Sequence, residues 1–160
     1  MSVVCVTDSI YNAFLADYSE GKAFMHSHTY AGNPLACSCA LAVIKILKRD
    51  NIIEKANELG QWLSKEFEQR FMQIDKVGGV RHIGLINALE LVKDRSTKEP
   101  FDSSLRLGYR IYQNALKKGL LLRPIGDILY FNPPLNIKKE ELKKAMDIAY
   151  EAITEELSKI

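Results

Sequence analysis

Hydrophobic and polar positions are arranged in several distinct ways along this chain, and each arrangement predicts a different kind of element. Residues 1–6, Met-Ser-Val-Val-Cys-Val, form a nearly continuous apolar run. Such a run fits a strand buried on both faces, as in a parallel sheet. A parallel strand needs partners joined by crossover helices, and no strand–helix–strand series follows. The strand is therefore expected to be an orphan, left from a larger domain that begins before this chain. Thr7 or Asp8 is placed to cap a short helix reaching about Leu15. After a loop over 21–32, Asn33-Pro34 supplies an N-cap and a proline at the first helical position. Residues 34–44 carry no charge. A helix that is apolar all round is normally buried on most sides, here against another domain or a second subunit. Lys45, Lys48 and Arg49 then suit the negative end of the helix dipole.

Beyond residue 50 the periodicity becomes amphipathic. Ile52, Ala56, Leu59, Leu63, Phe67 and Phe71 follow helical spacing, and Asn51 with Glu54 forms a candidate capping box. Gly78-Gly79 is expected to break the chain, residues 80–92 to form one strand and 93–100 a polar loop. A helix over 103–118 should end at Gly119 in a left-handed cap. Two short strands, 120–123 and 128–131, flank Pro124-Ile125-Gly126-Asp127, which suits a type II turn and hence a hairpin. Asn132-Pro133-Pro134 stops it. A last helix over 138–157 carries Leu142, Met146, Ala149, Ile153 and Leu157 on one stripe. The order from Asn51, α-β-α-β-β-α, predicts an α+β layer: a small antiparallel sheet with helices on one face.

Composition narrows the function classes more than the fold. The 160 residues, 47% hydrophobic and 26% charged, suffice for one domain or for a small domain with part of another. The net charge of +2 is dispersed, with no basic block, so neither nucleic acid nor an anionic membrane is an expected partner. No apolar run approaches the length of a bilayer span, and the N-terminus lacks the pattern of a signal peptide. Cys5, Cys37 and Cys39 are odd in number and sit in apolar stretches, as buried cytosolic thiols do. A cytoplasmic protein is expected. Cys37 and Cys39 diverge on a helix, and His26 with His28 has no evident third ligand, so no metal site is predicted.

Three segments carry a family resemblance. His26-Ser27-His28-Thr29-Tyr30-Ala31-Gly32-Asn33-Pro34-Leu35-Ala36-Cys37 resembles the H-G-x-T-[YF]-x-G-N-P-x-A-C segment of the class III aminotransferases. Leu122-Arg123-Pro124-Ile125-Gly126-Asp127, followed by Asn132-Pro133-Pro134-Leu135, resembles their R-P-x-G-[DN] hairpin and P-P-L-x-I tail. Val80-Arg81-His82-Ile83-Gly84-Leu85 and Leu89-Glu90-Leu91-Val92 are similar to the family's V-R-x-x-G-L and E-L-V strand. Each piece alone is weak, whereas the ordered set covers nearly the whole chain.

This resemblance implies that residues 51–160 are the C-terminal small domain of a fold type I aminotransferase, and that 1–50 is a remnant of the large α/β domain that binds pyridoxal 5'-phosphate. It implies a homodimer acting on small-molecule substrates. Gly32-Asn33-Pro34 is closer to the biotin-pathway branch, which converts 7-keto-8-aminopelargonate to a diamine, than to omega-transaminases with Gly-His-Pro. The amino donor is open between S-adenosylmethionine and lysine. The family's cofactor-bearing lysine lies shortly before a strand like 1–6, so it is expected to be missing here and the chain alone to be inactive. Another omega-transaminase and a non-catalytic dimerisation or interaction module are the alternatives.

Three residues are singled out by the same resemblance. Thr29, just before a helix N-terminus that favours an anion, would contact the cofactor phosphate of the neighbouring subunit. Arg123 would bind the substrate carboxylate, which a guanidinium grips with two parallel hydrogen bonds. Ser27 stands beside substrate and cofactor where the family usually has glycine, adding a hydroxymethyl group and restricting the backbone. The family often has Ser or Thr at the position of Lys138, so the start of the last helix is expected to fray.

Overall fold

The computed structural model describes residues 2–160 and divides between Asp50 and Asn51 into two units. In the first, residues 2–7 form no strand and are exposed; Met1, the remaining residue of the predicted strand, lies outside the described residues. A strand exists only through its ladder, because each N–H and C=O needs a partner, and among the described residues no ladder reaches this segment. Helix α1 (Asp8–Asn12) is shorter than predicted. The Thr7 hydroxyl lies 2.9 Å from the Ser9 hydroxyl and does not cap the backbone. Helix α2 (Pro34–Arg49) begins as its sequence dictates: Asn33 Oδ1 accepts the Ala36 N–H at 3.1 Å, and Pro34 opens the first turn. It continues past the uncharged stretch to end on Lys48 and Arg49. None of residues 2–50 is buried.

The second unit builds its core from two helix–hairpin pairs and a closing helix. Helix α3 (Ile52–Phe71) buries Ala56, Leu63, Phe67 and Phe71, the predicted stripe. The expected Asn51–Glu54 box is not formed. Asn51 instead adopts a left-handed conformation with φ 51°, which asparagine tolerates better than most residues. The single strand expected over 80–92 is a hairpin, β1 (Val77–Ile83) and β2 (Ile86–Leu91). Ile83 pairs with Ile86, leaving Gly84-Leu85 as the turn. Gly84, with φ 53° at the first turn position, meets the demand that primed hairpin turns make. Gly78-Gly79 lies inside β1, at a register shift, and does not break it.

The second pair repeats this plan. A 3-10 turn (Ser103–Leu105) precedes helix α4 (Leu107–Lys117); the left-handed Arg106 separates them, where one continuous helix was expected. Gly119 ends α4 with φ 90°, as predicted. Strands β3 (Arg123–Ile125) and β4 (Ile128–Phe131) form a hairpin as predicted, but its first strand is shifted: 120–122, expected in it, are not strand, and Pro124 and Ile125, expected in the turn, pair with Leu129 and Ile128. Its turn is the pair Gly126-Asp127 with Gly126 at φ 58°, a two-residue loop with glycine first where a type II turn was expected. The element order is therefore α-β-β-α-β-β-α.

The four strands form one antiparallel sheet in the order β1-β2-β4-β3. Leu89, Leu91, Leu129 and Phe131 face the helices and are buried. Phe67 packs against Phe71 and Phe131 with ring centroids 4.5 and 5.2 Å apart. Helix α5 (Lys139–Leu157) closes this core with Leu142, Met146, Ala149 and Ile153, while Leu157 is half-buried. Arg110 donates to Glu156 at 3.0 Å, joining α4 to α5. Burial pushes the Glu156 carboxyl up, but hydrogen bonds from Lys159 and Arg110 outweigh it and leave the pKa below the usual range. Lys138 has no side-chain acceptor, yet Glu141 Oε2 takes its backbone N–H at 2.8 Å, so half of a capping box holds the start of α5.

Candidate functional site

Ser27 and Thr29 share one loop of the first unit. A chain of ring contacts leads into it: Phe14–Phe24 and Phe24–His26 centroids are 5.4 Å apart, and His26–His28 4.9 Å. The backbone then turns. His28 O accepts the Ala31 N–H at 2.9 Å and Tyr30 O accepts the Asn33 N–H at 3.1 Å. Gly32 permits this with φ 69°. Thr29 stands on the exposed turn that delivers the chain to the N-terminus of α2, and among the described residues its hydroxyl makes no hydrogen bond. Ser27 is exposed two residues earlier. A free hydroxyl before a sixteen-residue helix, whose first N–H groups point out of its end, suits a phosphate chemically. The two histidines pack against each other, and among the described residues no His, Cys, Asp and Glu cluster could hold a metal ion.

Arg123 belongs to the second unit, at the start of β3. Its register partner is Tyr130, which is paired in turn with Ala88, and Ala88 with Arg81. Directly opposed residues share a face, so these four form one row across the side of the sheet away from the helices. Arg123 is exposed, and among the described residues its guanidinium makes no ion pair or hydrogen bond. It borders a cleft of about 380 Å³ lined by Leu120, Leu121, Tyr130, Pro133, Pro134 and Ile137. An uncommitted guanidinium beside an apolar cleft can take a carboxylate that carries an aliphatic body. A larger cleft of about 710 Å³ borders Lys76, Phe101, Leu157 and Ile160, but its Lys93 is already engaged by Glu99 at 2.6 Å.

Sequence reasoning passed over Gly108 and named Asp127 only as part of the turn and of the hairpin motif. Asp127 accepts the Gly108 N–H on its carboxylate at 3.2 Å and the Leu91 N–H on its carbonyl at 2.9 Å. A Cβ on Gly108 would run into the Gly126 carbonyl oxygen. The available signal was an isolated glycine inside a helical run, which usually has a packing reason. Among the described residues, the one strongly displaced carboxyl serves structure. Asp94 is drawn down to about 2 by hydrogen bonds from the Ser96 hydroxyl and from the Thr97 and Ser96 N–H groups, which close a loop turn.

The sequence profile described as "Aminotransferase class-III" matches residues 1–153. The chain is 40% identical over 155 residues to the adenosylmethionine-8-amino-7-oxononanoate aminotransferase of Methanocaldococcus jannaschii, covering 97% of this chain and 33% of that protein. It is 39% identical to the protein of the same name from Anoxybacillus flavithermus, covering 99% and 35%. The crystal structure of the Methanocaldococcus jannaschii protein superposes with a TM-score of 0.83 at 42% identity, over 93% of this chain and 34% of that one. A PLP-bound aminotransferase mutant from Vibrio fluvialis gives 0.81 at 26% identity, over 89% and 31%. The chain thus spans about a third of the length of these relatives. Among the described residues no helix is long and apolar enough to cross a membrane.

Proposed function

Because this chain belongs to the class-III aminotransferase family, we propose that it forms the C-terminal third of a pyridoxal-phosphate enzyme that aminates the ketone of 8-amino-7-oxononanoate, also called 7-keto-8-aminopelargonate. The names of its relatives favour S-adenosylmethionine as amino donor. The observation that carries the substrate class is the uncommitted Arg123 beside its apolar cleft. The guanidinium holds the substrate carboxylate through two parallel hydrogen bonds, and the cleft takes methylene groups. The substrate is then oriented with its ketone at the far end from Arg123.

The free hydroxyl of Thr29 and the turn that presents it fit a phosphate, and Thr29 donates to the cofactor phosphate of a neighbouring subunit in a cytoplasmic homodimer. Bound cofactor supplies the electron sink that makes exchange of an amino group for a ketone possible. Ser27 narrows the substrate side of this loop relative to glycine. Residues 1–50 belong to the large cofactor-binding domain and 51–160 to the small domain. The lysine that carries the cofactor in this family has no matching motif in these residues, so the 160-residue chain by itself does not turn over.

The test is steady-state kinetics on the full-length enzyme carrying these residues, with each substrate varied in turn. Arg123→Ala should raise KM for the keto acid tens-fold to thousands-fold, because losing a desolvated charged partner costs roughly 2–5 kcal/mol. KM for the amino donor should hold, and Arg123→Lys should rescue only in part, since lysine offers no planar fork. An unchanged KM for the keto acid removes Arg123 from the site.

A further inference from the structure

Arg123 sits on a strand that its own ladder holds poorly. β3 is three residues long, lies at the edge of the sheet, and contains Pro124, which donates no hydrogen bond. Its position is fixed from the other end of the hairpin, by contacts between the Gly126-Asp127 turn and the start of α4. Arg106, at the N-cap of α4, has no side-chain acceptor and caps nothing. The Asp127 carboxylate takes over that task from outside the helix, accepting the Gly108 N–H at 3.2 Å. Gly108 has no side chain, so the Gly126 carbonyl can press onto the helix backbone, and a Cβ there would also come within 3.2 Å of Pro124 Cβ. The Asp127 carbonyl accepts the Leu91 N–H at 2.9 Å, tying the same turn to β2.

The other hairpin shows which part of this is special. Its turn is also seated on a helix glycine: a Cβ on Gly60 would fall 2.5 Å from the Gly84 carbonyl oxygen. Yet the residue after Gly84 is Leu85, which is buried and offers no acceptor to α3. Close backbone seating is common to both hairpins, and the carboxylate cap belongs only to the one that carries Arg123.

Resting on the role proposed above for Arg123, we propose that Gly108 and Asp127 are positioning residues for substrate recognition. They lock the hairpin turn onto α4 and thereby set where the Arg123 guanidinium meets the substrate carboxylate. Loosening the lock moves the guanidinium while leaving its charge in place. A misplacement of about 1 Å can cost on the order of a hundred-fold in a positioned reaction, so the lock is expected to matter although neither residue touches substrate.

The experiment uses the full-length enzyme with Gly108→Ala, Asp127→Ala and Asp127→Asn, and Arg123→Ala as reference. KM and kcat are measured for the keto acid and for the amino donor, with cofactor absorbance, Tm and hydrogen exchange of the Gly108 amide. Asp127→Ala and Gly108→Ala should each raise KM for the keto acid by about ten-fold or more, leaving cofactor absorbance and the donor's KM as they were. Asp127→Ala should also speed Gly108 exchange. Asp127→Asn should restore both, because its amide oxygen still accepts the Gly108 N–H. If Gly108→Ala does not fold, the Asp127 pair decides. The lock is overturned if Arg123→Ala is selective for the keto acid but Asp127→Ala is not, if both substrates suffer equally, or if Asn behaves like Ala. If Arg123→Ala itself is not selective, the carboxylate role of Arg123 fails and the positioning role falls with it, a result distinct from the others.

Discussion

Leu41 and Ile44 lie on a sixteen-residue helix whose first eleven residues carry no charge, and they remain 58% and 48% exposed. Leu63 and Phe67 lie on a twenty-residue helix crowded with Glu, Lys and Arg, and are fully buried. Apolar content alone therefore does not decide burial within this chain. α3 has one apolar face and a sheet, β1 and β2, to lay it against; α2 is apolar nearly all round and has no layer of its own unit to cover it. An amphipathic helix is satisfied by one partner, whereas a helix without a polar face needs several. Exposed apolar surface of this extent marks an interaction face, in keeping with the large-domain origin and the homodimer proposed for residues 1–50.

The widest gap between the two regions should appear on core truncation. Phe67→Ala removes a ring packed against Phe71 and Phe131 and should cost about 3–5 kcal/mol. Leu41→Ala on α2 should change the stability of the 160-residue chain by less than about 0.5 kcal/mol. Urea denaturation of both variants measures this, and equal costs would mean that α2 is packed after all. A smaller effect is expected where backbone, not side chain, fills the core. Gly60→Ala places a methyl 2.5 Å from the Gly84 carbonyl and should destabilise by about 1–3 kcal/mol, read as a lower denaturation midpoint. No loss there would mean that the first hairpin is not seated on α3.

Smaller again is the gain expected from Lys138→Ser. Glu141 already supplies one half of a capping box, and the serine hydroxyl would supply the other, worth about 0.5–1 kcal/mol by thermal melting. A stability no higher than wild type would show that α5 is already fully capped. The most local effect concerns Asp94. Its pKa in the fold is about 2, below the ordinary 3.8, so the stabilisation of its turn is complete above the ordinary value and is lost as pH falls through about 2. Amide exchange at Ser96 and Thr97, followed downward in pH, should stay protected at pH 4 and lose protection near 2. Loss already at pH 4 would show that the carboxylate does not hold the turn.

Legibility followed the range of the interaction. The stripes of α3 and α5, the Asn33 cap, the Gly119 stop and the Arg123 hairpin were readable, because each is set by residues within a few positions of one another. The Gly84 turn was missed because apolar residues flank it on both sides, so residues 80–92 read as one strand. The Asn51–Glu54 box was expected from a spacing that many loops share, and the left-handed backbone of Asn51 has no signature in composition. The candidate site was less legible still. Nothing in periodicity distinguishes Thr29, Ser27 or Arg123 from ordinary loop and hairpin residues, and it was the ordered set of motifs that marked them.

The sequence by itself determined which segments are helical, where most of them stop, and which faces are apolar, since these depend on dihedral preferences and on side-chain spacing along a single element. Tertiary structure decided what no local pattern encodes. It placed β4 between β2 and β3, making the sheet order β1-β2-β4-β3. It set Gly126 against Gly108, eighteen positions away, and brought Asp127 to the bare N-terminus of α4. It also left the Arg123 guanidinium without a hydrogen-bond or ion-pair partner among the described residues, beside an apolar cleft. Contacts between elements are chosen by whole faces packing together, so a residue's partner across such a contact follows from the packed pair and not from the residues beside it in the chain.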